Sequence, residues 1–321
     1  MEWSQLASRR VFVTGAAGFI GSHLCRALLD GGAEVHGLSR KGQLDSEGGM
    51  HWWQGDLADA SITRDCIAAI KPDIIFHLAS HVAGSRDLRL VRPTFESNLM
   101  STVNLLTMAS EIGCRRIILT GSLEEAESNG GETVPSSPYA AAKGASSSYA
   151  RMFHALYQTP VVIARLFMVY GPGQQDVSKL IPYVTQSLLN KQPPRLSSGQ
   201  RQIDWIYVQD VVDGLIAAAQ TPNIEGHTID LGSGTLVSIQ TIVQQLADRI
   251  DPRVELLWGA LPERRMEQTR VANISRTYHT MGWKPKTSLA IGLEHTVNWY
   301  REHGNSLHER AEGPSVLKNS E

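Results

Sequence analysis

Short apolar runs alternate with amphipathic stretches through the first half of the chain. Apolar positions recur at helical spacing in Ile20–Leu29 and Leu99–Ser110, which predicts helices there. Runs dense in Val, Ile and Leu predict buried strands at Val11–Thr14, Val35–Leu38, Ile74–His77, Ile117–Leu119 and Val161–Arg165. Strands that alternate with helices predict an α/β fold, a doubly wound parallel sheet with helices on both faces.

The pattern changes after Tyr170, where Gly171–Gly173 interrupts the chain. We expect a strand-like run at Trp205–Val208 and a helical run at Val211–Ala219 to return to the sheet. The other predicted elements are a helix from Ile239, a strand-like patch at Val254–Trp258 and a terminal helix near Ile291–Tyr300. The predicted organisation is a first domain of residues 1–170, to which 201–231 returns, a smaller interleaved C-terminal region of 171–200 and 232–302, and a disordered polar tail of 303–321.

Composition and charge narrow the classes of function. The 321 residues are 42% hydrophobic and 19% charged, as in a globular protein of one large domain or two small ones. A formal net charge of −2 gives no electrostatic reason to expect nucleic acid or an anionic membrane as a partner. No apolar run approaches the roughly 18 residues of a membrane span, and Met1–Arg10 lacks the apolar core of a secretory signal.

The three cysteines, Cys25, Cys66 and Cys114, are odd in number and widely spaced. They match neither a disulfide framework nor a zinc pattern, so the sequence predicts no metal site and a reducing, cytoplasmic location. Cys25 and Cys66 fall in helical patterns and are expected to be small core residues.

A glycine-rich turn lies between the first predicted strand and the first predicted helix. Gly15, Gly18 and Gly21 let the backbone turn tightly, approach a pyrophosphate and pack the helix against the strand. The N–H groups and dipole of the following helix favour phosphate binding. A glycine triplet alone can be a plain turn, but this strand–turn–helix context predicts a dinucleotide site.

The end of the second strand bears on the choice between NAD and NADP. Ser39 stands where an acid would bind a ribose 2′-hydroxyl, and Arg40 and Lys41 follow it. Two cations favour a 2′-phosphate, so NADP is preferred; solvated surface cations are the alternative, which leaves NAD open. Asp56, followed by Leu57, either accepts the adenine amino group or caps a helix beginning at Ala58.

Tyr139 and Lys143 are four residues apart, so they share one face of a helix for which Ser137-Pro138 supplies a cap and a first-turn proline. Ser122 follows an earlier strand at its carboxyl end, where ligands of open α/β sheets bind. Tyr139 is the predicted acid/base, assisted by the Lys143 ammonium, while Ser122 orients the substrate oxygen. A structural Tyr–Lys pair on a surface helix is the alternative.

Together these residues resemble the extended short-chain dehydrogenase/reductases, the branch that contains nucleotide-sugar epimerases, dehydratases and 4-keto-sugar reductases. The segments that carry the resemblance are Thr14–Gly21, His77–Ser80, Asn98, Ser122, Ser137–Lys143, Val169–Gly173, Asp204–Val208 and Gly282-Trp283. The resemblance implies a Rossmann domain, a C-terminal region that holds a nucleotide-diphosphate sugar, and a homodimer formed through helices that include the one bearing Tyr139. The candidate cofactor-binding residues are Gly15, Gly18, Phe19, Ile20, Gly21, Ser39, Arg40, Asp56, Leu57, Leu78, Ala79, Ser80, Asn98, Tyr139 and Lys143.

The residues that follow Ser122 are similar to more than one enzyme type of this branch. Glu124 resembles the glutamate with which 4,6-dehydratases remove a proton beside a carbonyl, although Leu123 replaces the usual acid or serine before it. The run Gly121–Glu125 is at least as similar to the reductase that makes GDP-rhamnose from its 4-keto precursor. A solvated loop is the alternative interpretation of Glu124 and Glu125.

Some positions depart from the family pattern. Met168 stands where members often have a substrate-contacting Asn, and Ile203 stands where many have an Arg that holds the diphosphate. Arg201 or Arg264 is a candidate to replace that cation. His81 follows the cofactor strand and is either a substrate contact or a structural histidine.

The leading hypothesis is an NADPH-dependent reductase of a 4-keto-6-deoxy nucleotide sugar. The alternative is an enzyme that retains NAD, either a nucleotide-sugar 4-epimerase or a 4,6-dehydratase that uses Glu124. A non-catalytic dinucleotide-binding regulator is a third class, and the intact Ser122, Tyr139 and Lys143 argue against it.

Overall fold

The computed structural model describes residues 6–41, 49–82, 84–126, 133–174, 176–263, 266 and 268–311. Strands and helices alternate in its first half, as the hydrophobic pattern predicts. In chain order the elements of this half are β1 (Arg10–Thr14), α1 (Phe19–Asp30), β2 (Glu34–Ser39), β3 (His51–Gln54), α2 (Ala60–Ile70), β4 (Ile74–His77), α3 (Val91–Thr94), α4 (Ser101–Ile112), β5 (Arg116–Ser122), α5 (Pro138–Tyr157) and β6 (Val161–Leu166).

The second half contains shorter strands and five helices within the described residues. These elements are β7 (Met168–Tyr170), α6 (Leu180–Leu189), β8 (Gln202–Tyr207), α7 (Val208–Gln220), β9 (Thr228–Leu231), β10 (Leu236–Ser238), α8 (Ile239–Ile250), α9 (Ile274–Met281) and α10 (Leu289–Ala311). None of the helices that the structure describes is both long enough and apolar enough to cross a membrane.

Seven parallel strands form the main sheet, in the order β3-β2-β1-β4-β5-β6-β9. The predicted doubly wound parallel sheet is therefore confirmed. The strand order reverses between β1 and β4, where Thr14 lies beside His77. Ligands of open α/β sheets bind at the carboxyl ends of the strands at such a point. The strands β10, β8 and β7 form a second sheet in that order. The run Trp205–Val208, expected to return to the main sheet, therefore lies in β8 of the second sheet as far as Tyr207, and β9 is the later strand that joins the main sheet beside β6.

The main sheet is covered on both faces because its central strands are buried and mostly apolar, whereas the edge strand β3 is partly exposed. Along β1, Val11 and Val13 pack into one core with α1 and α7, whereas Phe12 packs into the other with α2, α4 and α5. Cys25 and Cys66 are buried, one in each core, as predicted. Burial raises the pKa of the Cys25 thiol to about 12, which keeps it protonated.

Contacts divide the chain into two compact units. The first comprises Met1–Val169, Asp204–Thr235 and Arg264–Lys286; the second comprises Tyr170–Ile203, Leu236–Glu263 and Thr287–Glu321. The sequence analysis assigned all of 232–302 to the C-terminal region, whereas the segment 264–286 belongs to the first unit.

Two buried carboxylates, Asp204 in β8 of the second sheet and Asp230 in β9 of the main sheet, hold the 264–286 segment. Asp204 is 1% exposed and accepts the main-chain N–H of Ala272 at 2.9 Å, in addition to three hydrogen bonds from Ser233 and Gly234. Asp230 accepts the N–H of Asn273 at 3.0 Å. These hydrogen bonds pair residues far apart in sequence, so hydrophobic periodicity does not reveal them.

Four local predictions differ from the structure. The patch Val254–Trp258 forms one isolated bridge, from Leu257 to Arg195, because Pro193 and Pro194 lack the N–H groups that would extend a ladder. The terminal helix α10 continues to Ala311, past the predicted start of the disordered tail at residue 303, through a stretch without proline; residues 312–321 lie outside the described part.

The other two differences concern where helices begin. The helix predicted to start at Ala58 is α2, which starts at Ala60 because the side chain of Asp59 caps it. The helix predicted at Leu99–Ser110 starts earlier, with α3, and passes through a π-helical stretch, Phe95–Met100, into α4. Pro93 lies in the first turn of α3, where proline is tolerated.

A chain of buried hydrogen bonds joins the main sheet to this π-helical stretch. Thr14 Oγ1 lies 2.8 Å from His77 Nδ1, and His77 Nε2 lies 3.1 Å from Thr102 Oγ1. The Thr102 hydroxyl donates its proton to the Asn98 carbonyl at 2.6 Å, so it accepts from His77, whose Nε2 carries the ring proton. Thr14 is the donor to Nδ1 and its oxygen also accepts from Ala79 N–H at 3.1 Å.

The Asn98 carbonyl extends the chain to α5, because it also accepts the Ser146 hydroxyl at 3.0 Å. The Asn98 side chain holds the main chain of His81, in the segment that follows β4. Its Oδ1 accepts the His81 N–H at 2.6 Å, and its Nδ2 donates to the His81 carbonyl at 3.2 Å. Wide helical turns of this kind frequently occur at functional sites. One polar network thus links β1, β4, the π-helical stretch and α5.

We expect His77 to make the stability of the protein sensitive to acid. Burial, and secondarily the charge of Lys143, lower the pKa of His77 from 6.5 to about 3. Between these values the unfolded imidazole binds a proton that the folded one does not, so acidification favours unfolding. His77→Asn removes this group, and the free energy of unfolding of the native protein should therefore fall more steeply than that of the variant below pH 6.5, by at most about 1.4 kcal/mol per pH unit.

Urea unfolding of both proteins at several values of pH between 7 and 4 measures the difference in slope. His227→Asn is the control, because that ring is exposed on the connection before β9. Parallel slopes for the native protein and His77→Asn would contradict a neutral, buried His77.

Candidate active site

The glycine-rich turn connects β1 to α1 at the point where the strand order reverses. Gly15 has a φ of +69°, and a Cβ atom on it would lie 2.8 Å from the Ala79 nitrogen. A Cβ on Gly21 would lie 2.1 Å from the Gly15 carbonyl. Gly18 is the N-cap of α1, and the first turn, which begins with Phe19 and Ile20, has no acidic residue. These features fit a dinucleotide whose pyrophosphate meets the start of α1.

The carboxyl end of β2 presents the residues expected to contact the adenosine ribose. Ser39 is half-buried, Arg40 is exposed, and the Arg40 carbonyl accepts the Gln54 side-chain amide at 3.5 Å. No acid occupies the position of Ser39, so an additional phosphate there would meet no repulsion from this residue. Asp56 is exposed and accepts the Ala58 N–H at 2.9 Å, while the next residue, Leu57, is buried.

The end of β4 passes close to the glycine-rich turn. Leu78 and Ala79 border Gly15, and Ala79 N–H is held by Thr14. Ser80 Oγ and His81 Nε2 come next, and both atoms are buried without a hydrogen-bond partner in the part of the chain that the structure describes. Buried polar atoms are normally satisfied, so these two are suited to a bound ligand. Because His81 Nε2 has no hydrogen-bond partner among the described residues, this observation argues against a purely structural role for His81.

Tyr139 and Lys143 lie one turn apart near the start of α5, as their spacing predicts. Ser137 caps the helix by accepting the Ala140 N–H at 3.1 Å, and Pro138 is its first residue. The Lys143 Nζ atom lies 6.0 Å from the centre of the Tyr139 ring. The helix thus presents both side chains on the face that packs toward β5.

The Lys143 ammonium is buried against the carboxyl end of β5. Its Nζ atom donates to the Thr120 carbonyl at 2.9 Å and lies 3.4 Å from the Thr120 hydroxyl. Burial lowers the pKa of Lys143 from 10.5 to about 8, and the negative charge of Glu125 acts in the opposite direction. A lysine with this pKa can change its charge near neutral pH, which suits a group that supports proton transfer.

The Tyr139 phenol is held in its neutral form. Burial raises its pKa above the usual value of 10, and the charges of Glu124 and Glu125 raise it further. The Ser122 side chain opposes them by hydrogen bonding to the phenol. The arrangement therefore provides a proton donor, and a nearby positive charge is needed before the phenolate can form.

The turn after β5 contains a residue that sequence reasoning missed. Glu125 is 8% exposed, and its Oε1 accepts the Ser122 N–H at 2.7 Å, which contradicts a solvated loop for this residue. Glu124 is half-buried and its N–H donates to Ser122 Oγ at 3.2 Å. The spacing Ser-x-x-Glu is that of a capping box, and this signal in the sequence would have identified Glu125.

The candidate substrate contacts are only partly brought together. Met168 lies in β7 and packs against the core of the first unit. Arg201 is half-buried and belongs to the second unit, and Ile203 is buried. Arg264 lies outside the described residues.

Comparisons with known proteins identify the family of this chain. The chain matches the family of NAD dependent epimerases and dehydratases over residues 11–232. UDP-glucose 4-epimerase of Mycolicibacterium smegmatis is 30% identical over 322 residues, which cover 91% of this chain and 98% of that protein. dTDP-D-glucose 4,6-dehydratase of Mus musculus is 26% identical over 324 residues, covering 92% of this chain and 90% of that protein.

A solved structure of an epimerase has the same fold. UDP-glucuronic acid 4-epimerase from Bacillus cereus, in complex with UDP-glucuronic acid and NAD, superposes with a TM-score of 0.80 at 27% identity and covers 91% of this chain and 99% of that one. The resemblance drawn from the motifs is thereby confirmed. The chain belongs to the NAD dependent epimerase/dehydratase family of extended short-chain dehydrogenase/reductase enzymes.

Proposed function

We propose that the protein is an NADPH-dependent reductase that acts on the C4 keto group of a nucleotide-linked 4-keto-6-deoxy sugar. The observation that carries the proposal is the carboxyl end of β2, where the uncharged Ser39 stands in place of an acid and Arg40 is exposed. A reductase must also deliver a proton to the carbonyl oxygen, and Tyr139, beside Lys143, is the residue placed to donate it.

The residues of the chain divide the work as follows. Ser122 orients the keto oxygen by a hydrogen bond, and Tyr139 donates its proton to that oxygen. The Lys143 ammonium stabilises the phenolate that Tyr139 becomes, which lowers the barrier to proton loss. When bound, the reduced dinucleotide supplies the hydride to the carbonyl carbon. The candidate residues that hold it are those of the glycine-rich turn, the end of β4, and Ser39 with Arg40.

Cofactor preference rests on the end of β2. A guanidinium forms paired, charge-assisted hydrogen bonds with a phosphate, and Arg40 is exposed next to a residue without charge, Ser39. A net reductant draws on the NADPH pool and releases the cofactor after each turnover, so selection for the 2′-phosphate supports the reductase.

A second candidate is an enzyme that retains NAD, either a nucleotide-sugar 4-epimerase or a 4,6-dehydratase. The names of the relatives favour it, since they are a UDP-glucose 4-epimerase and a dTDP-D-glucose 4,6-dehydratase. Glu124 supports the dehydratase, because its N–H contacts the Ser122 hydroxyl and its charge acts on Tyr139. Tightly bound NAD in the purified protein, together with no preference for the phosphorylated cofactor, would favour this candidate over the reductase.

We also propose a homodimer in the cytoplasm. Leu88, Val91, Phe95 and Tyr149 are apolar side chains that are 84%, 46%, 45% and 41% exposed. Three of the four lie on the helical segments from Leu88 to Met100, and Tyr149 lies on α5, which packs against them. The three cysteines are free, which fits a reducing compartment.

Tyr139→Phe is expected to reduce turnover of the keto sugar by roughly 10² to 10⁴-fold, because the general acid is lost. The dissociation constant for NADPH should remain unchanged, since the ring stays in place. Steady-state kinetics and a fluorescence titration measure the two quantities. Tyr149→Phe is the matched control on the same helix, where the ring is exposed. Unchanged turnover in Tyr139→Phe would remove this residue from the mechanism.

Arg40→Ala is expected to weaken NADPH binding by about tenfold or more while leaving NADH binding unchanged, because one charge-assisted contact to the 2′-phosphate is lost. Titration of each cofactor against the native protein and the variant measures the effect. Arg26→Ala removes an exposed arginine from α1 and serves as the control. Equal losses for NADH and NADPH would show that Arg40 does not read the phosphate.

A further inference from the structure

The turn after β5 is built around Ser122. Glu125 closes it from both sides: its Oε1 accepts the Ser122 N–H at 2.7 Å, and its own N–H donates to the Ser122 carbonyl at 3.1 Å. The main chain of the serine is therefore held on its donor and on its acceptor by a single residue. Movement of Glu125 would move the serine hydroxyl with it.

The Glu125 carboxylate lies close to Gly121, which has no side chain to obstruct it. A Cβ atom on Gly121 would lie 2.6 Å from Oε1, so glycine in β5 permits the close approach. The carboxylate is almost fully buried, and an isolated buried charge is strongly unfavourable. One N–H donor does not balance such a charge, so its retention needs an opposite charge nearby.

Lys143 carries the buried positive charge on which the Glu125 carboxylate acts. Lys143 is 5% exposed and its hydrogen bonds go to Thr120, which is uncharged. Three titratable side chains act on it or lie near it: Tyr139 and His77 are both neutral near pH 7, whereas Glu125 favours its positive form. Among the described residues no direct ion pair joins Glu125 to Lys143, so the carboxylate acts on the ammonium through space.

We propose that Glu125 is a positioning residue of the reaction, which holds the Ser122 hydroxyl in place through the main chain. Its charge also favours the ammonium form of Lys143. The inference deepens the proposed function and rests on it only where it assigns Ser122 and Lys143 to proton transfer. It also explains why the two adjacent glutamates differ, since Glu125 is buried against Ser122 while Glu124 is half-exposed.

Two substitutions separate the two parts of this role. Glu125→Gln keeps an oxygen that can accept the Ser122 N–H but removes the charge. Glu125→Asp keeps the charge but withdraws the carboxylate by one methylene, so it no longer reaches the Ser122 N–H. Asp210→Asn is the matched control. Asp210 lies on α7, is 4% exposed, and accepts the main-chain N–H of Lys286 at 2.9 Å.

The charge state of Lys143 is measured by nuclear magnetic resonance of protein labelled with ¹³C at the lysine ε-carbons, recorded over a range of pH. The Lys143 signal is assigned as the one that disappears in Lys143→Arg. We expect Glu125→Gln to lower the titration midpoint of Lys143 by about one pH unit or more, because a favourable charge is removed. Glu125→Asp and Asp210→Asn should leave the midpoint near that of the native protein. An unchanged midpoint in Glu125→Gln, or an equal shift in Asp210→Asn, would overturn the charge role.

The positioning of Ser122 is tested by measuring turnover as a function of pH, with whichever nucleotide sugar the native protein converts. We expect Glu125→Asp to lower kcat by about 10²-fold at every pH, because a displaced serine no longer orients the substrate. Glu125→Gln should approach native turnover at low pH and lose it at a lower pH than the native protein, following Lys143. Native turnover in Glu125→Asp would overturn the positioning role. The resonance titration needs no substrate, so failure of keto-sugar reduction alone leaves it standing.

Discussion

The burial of the Lys143 ammonium is the constraint on which the site depends. A cation in the core requires compensation, and the protein supplies it with the Thr120 carbonyl and the Glu125 charge rather than with solvent. The same burial brings the pKa of Lys143 to about 8, close to the range in which the enzyme must move a proton. Tyr139 is positioned one helical turn away, so the charge that stabilises its phenolate is part of the same helix.

The cofactor side and the catalytic side of the site are linked by the network through His77. Thr14 holds both His77 and the Ala79 N–H beside the glycine-rich turn, and Asn98 receives hydrogen bonds from Thr102 and from Ser146 on α5. The π-helical stretch matters because its carbonyl accepts from two side chains. A neutral histidine in the middle means that this link carries no net charge that would compete with Lys143.

Much of the fold follows from local sequence features. The central strands of the main sheet are rich in apolar residues, so β1, β2, β4, β5 and β6 could be predicted, and Ser137-Pro138 indicates the start of α5. Hydrophobic pattern could not place Glu125, because a glutamate in a turn resembles a solvated residue. Its Ser-x-x-Glu spacing indicates the contact with Ser122, but the close approach to Gly121 is seen only in the fold. The attachment of 264–286 through Asp204 and Asp230 rests on contacts between distant segments, which periodicity does not encode.

A crystal structure with NADP⁺ and the nucleotide-sugar product tests the central claim most directly, because that claim is geometric. The account predicts that the hydroxyl groups of Tyr139 and Ser122 both lie about 2.6–3.2 Å from one sugar oxygen, whose carbon faces C4 of the nicotinamide. A Tyr139 hydroxyl directed into solvent, or a dinucleotide bound away from the glycine-rich turn, would contradict it.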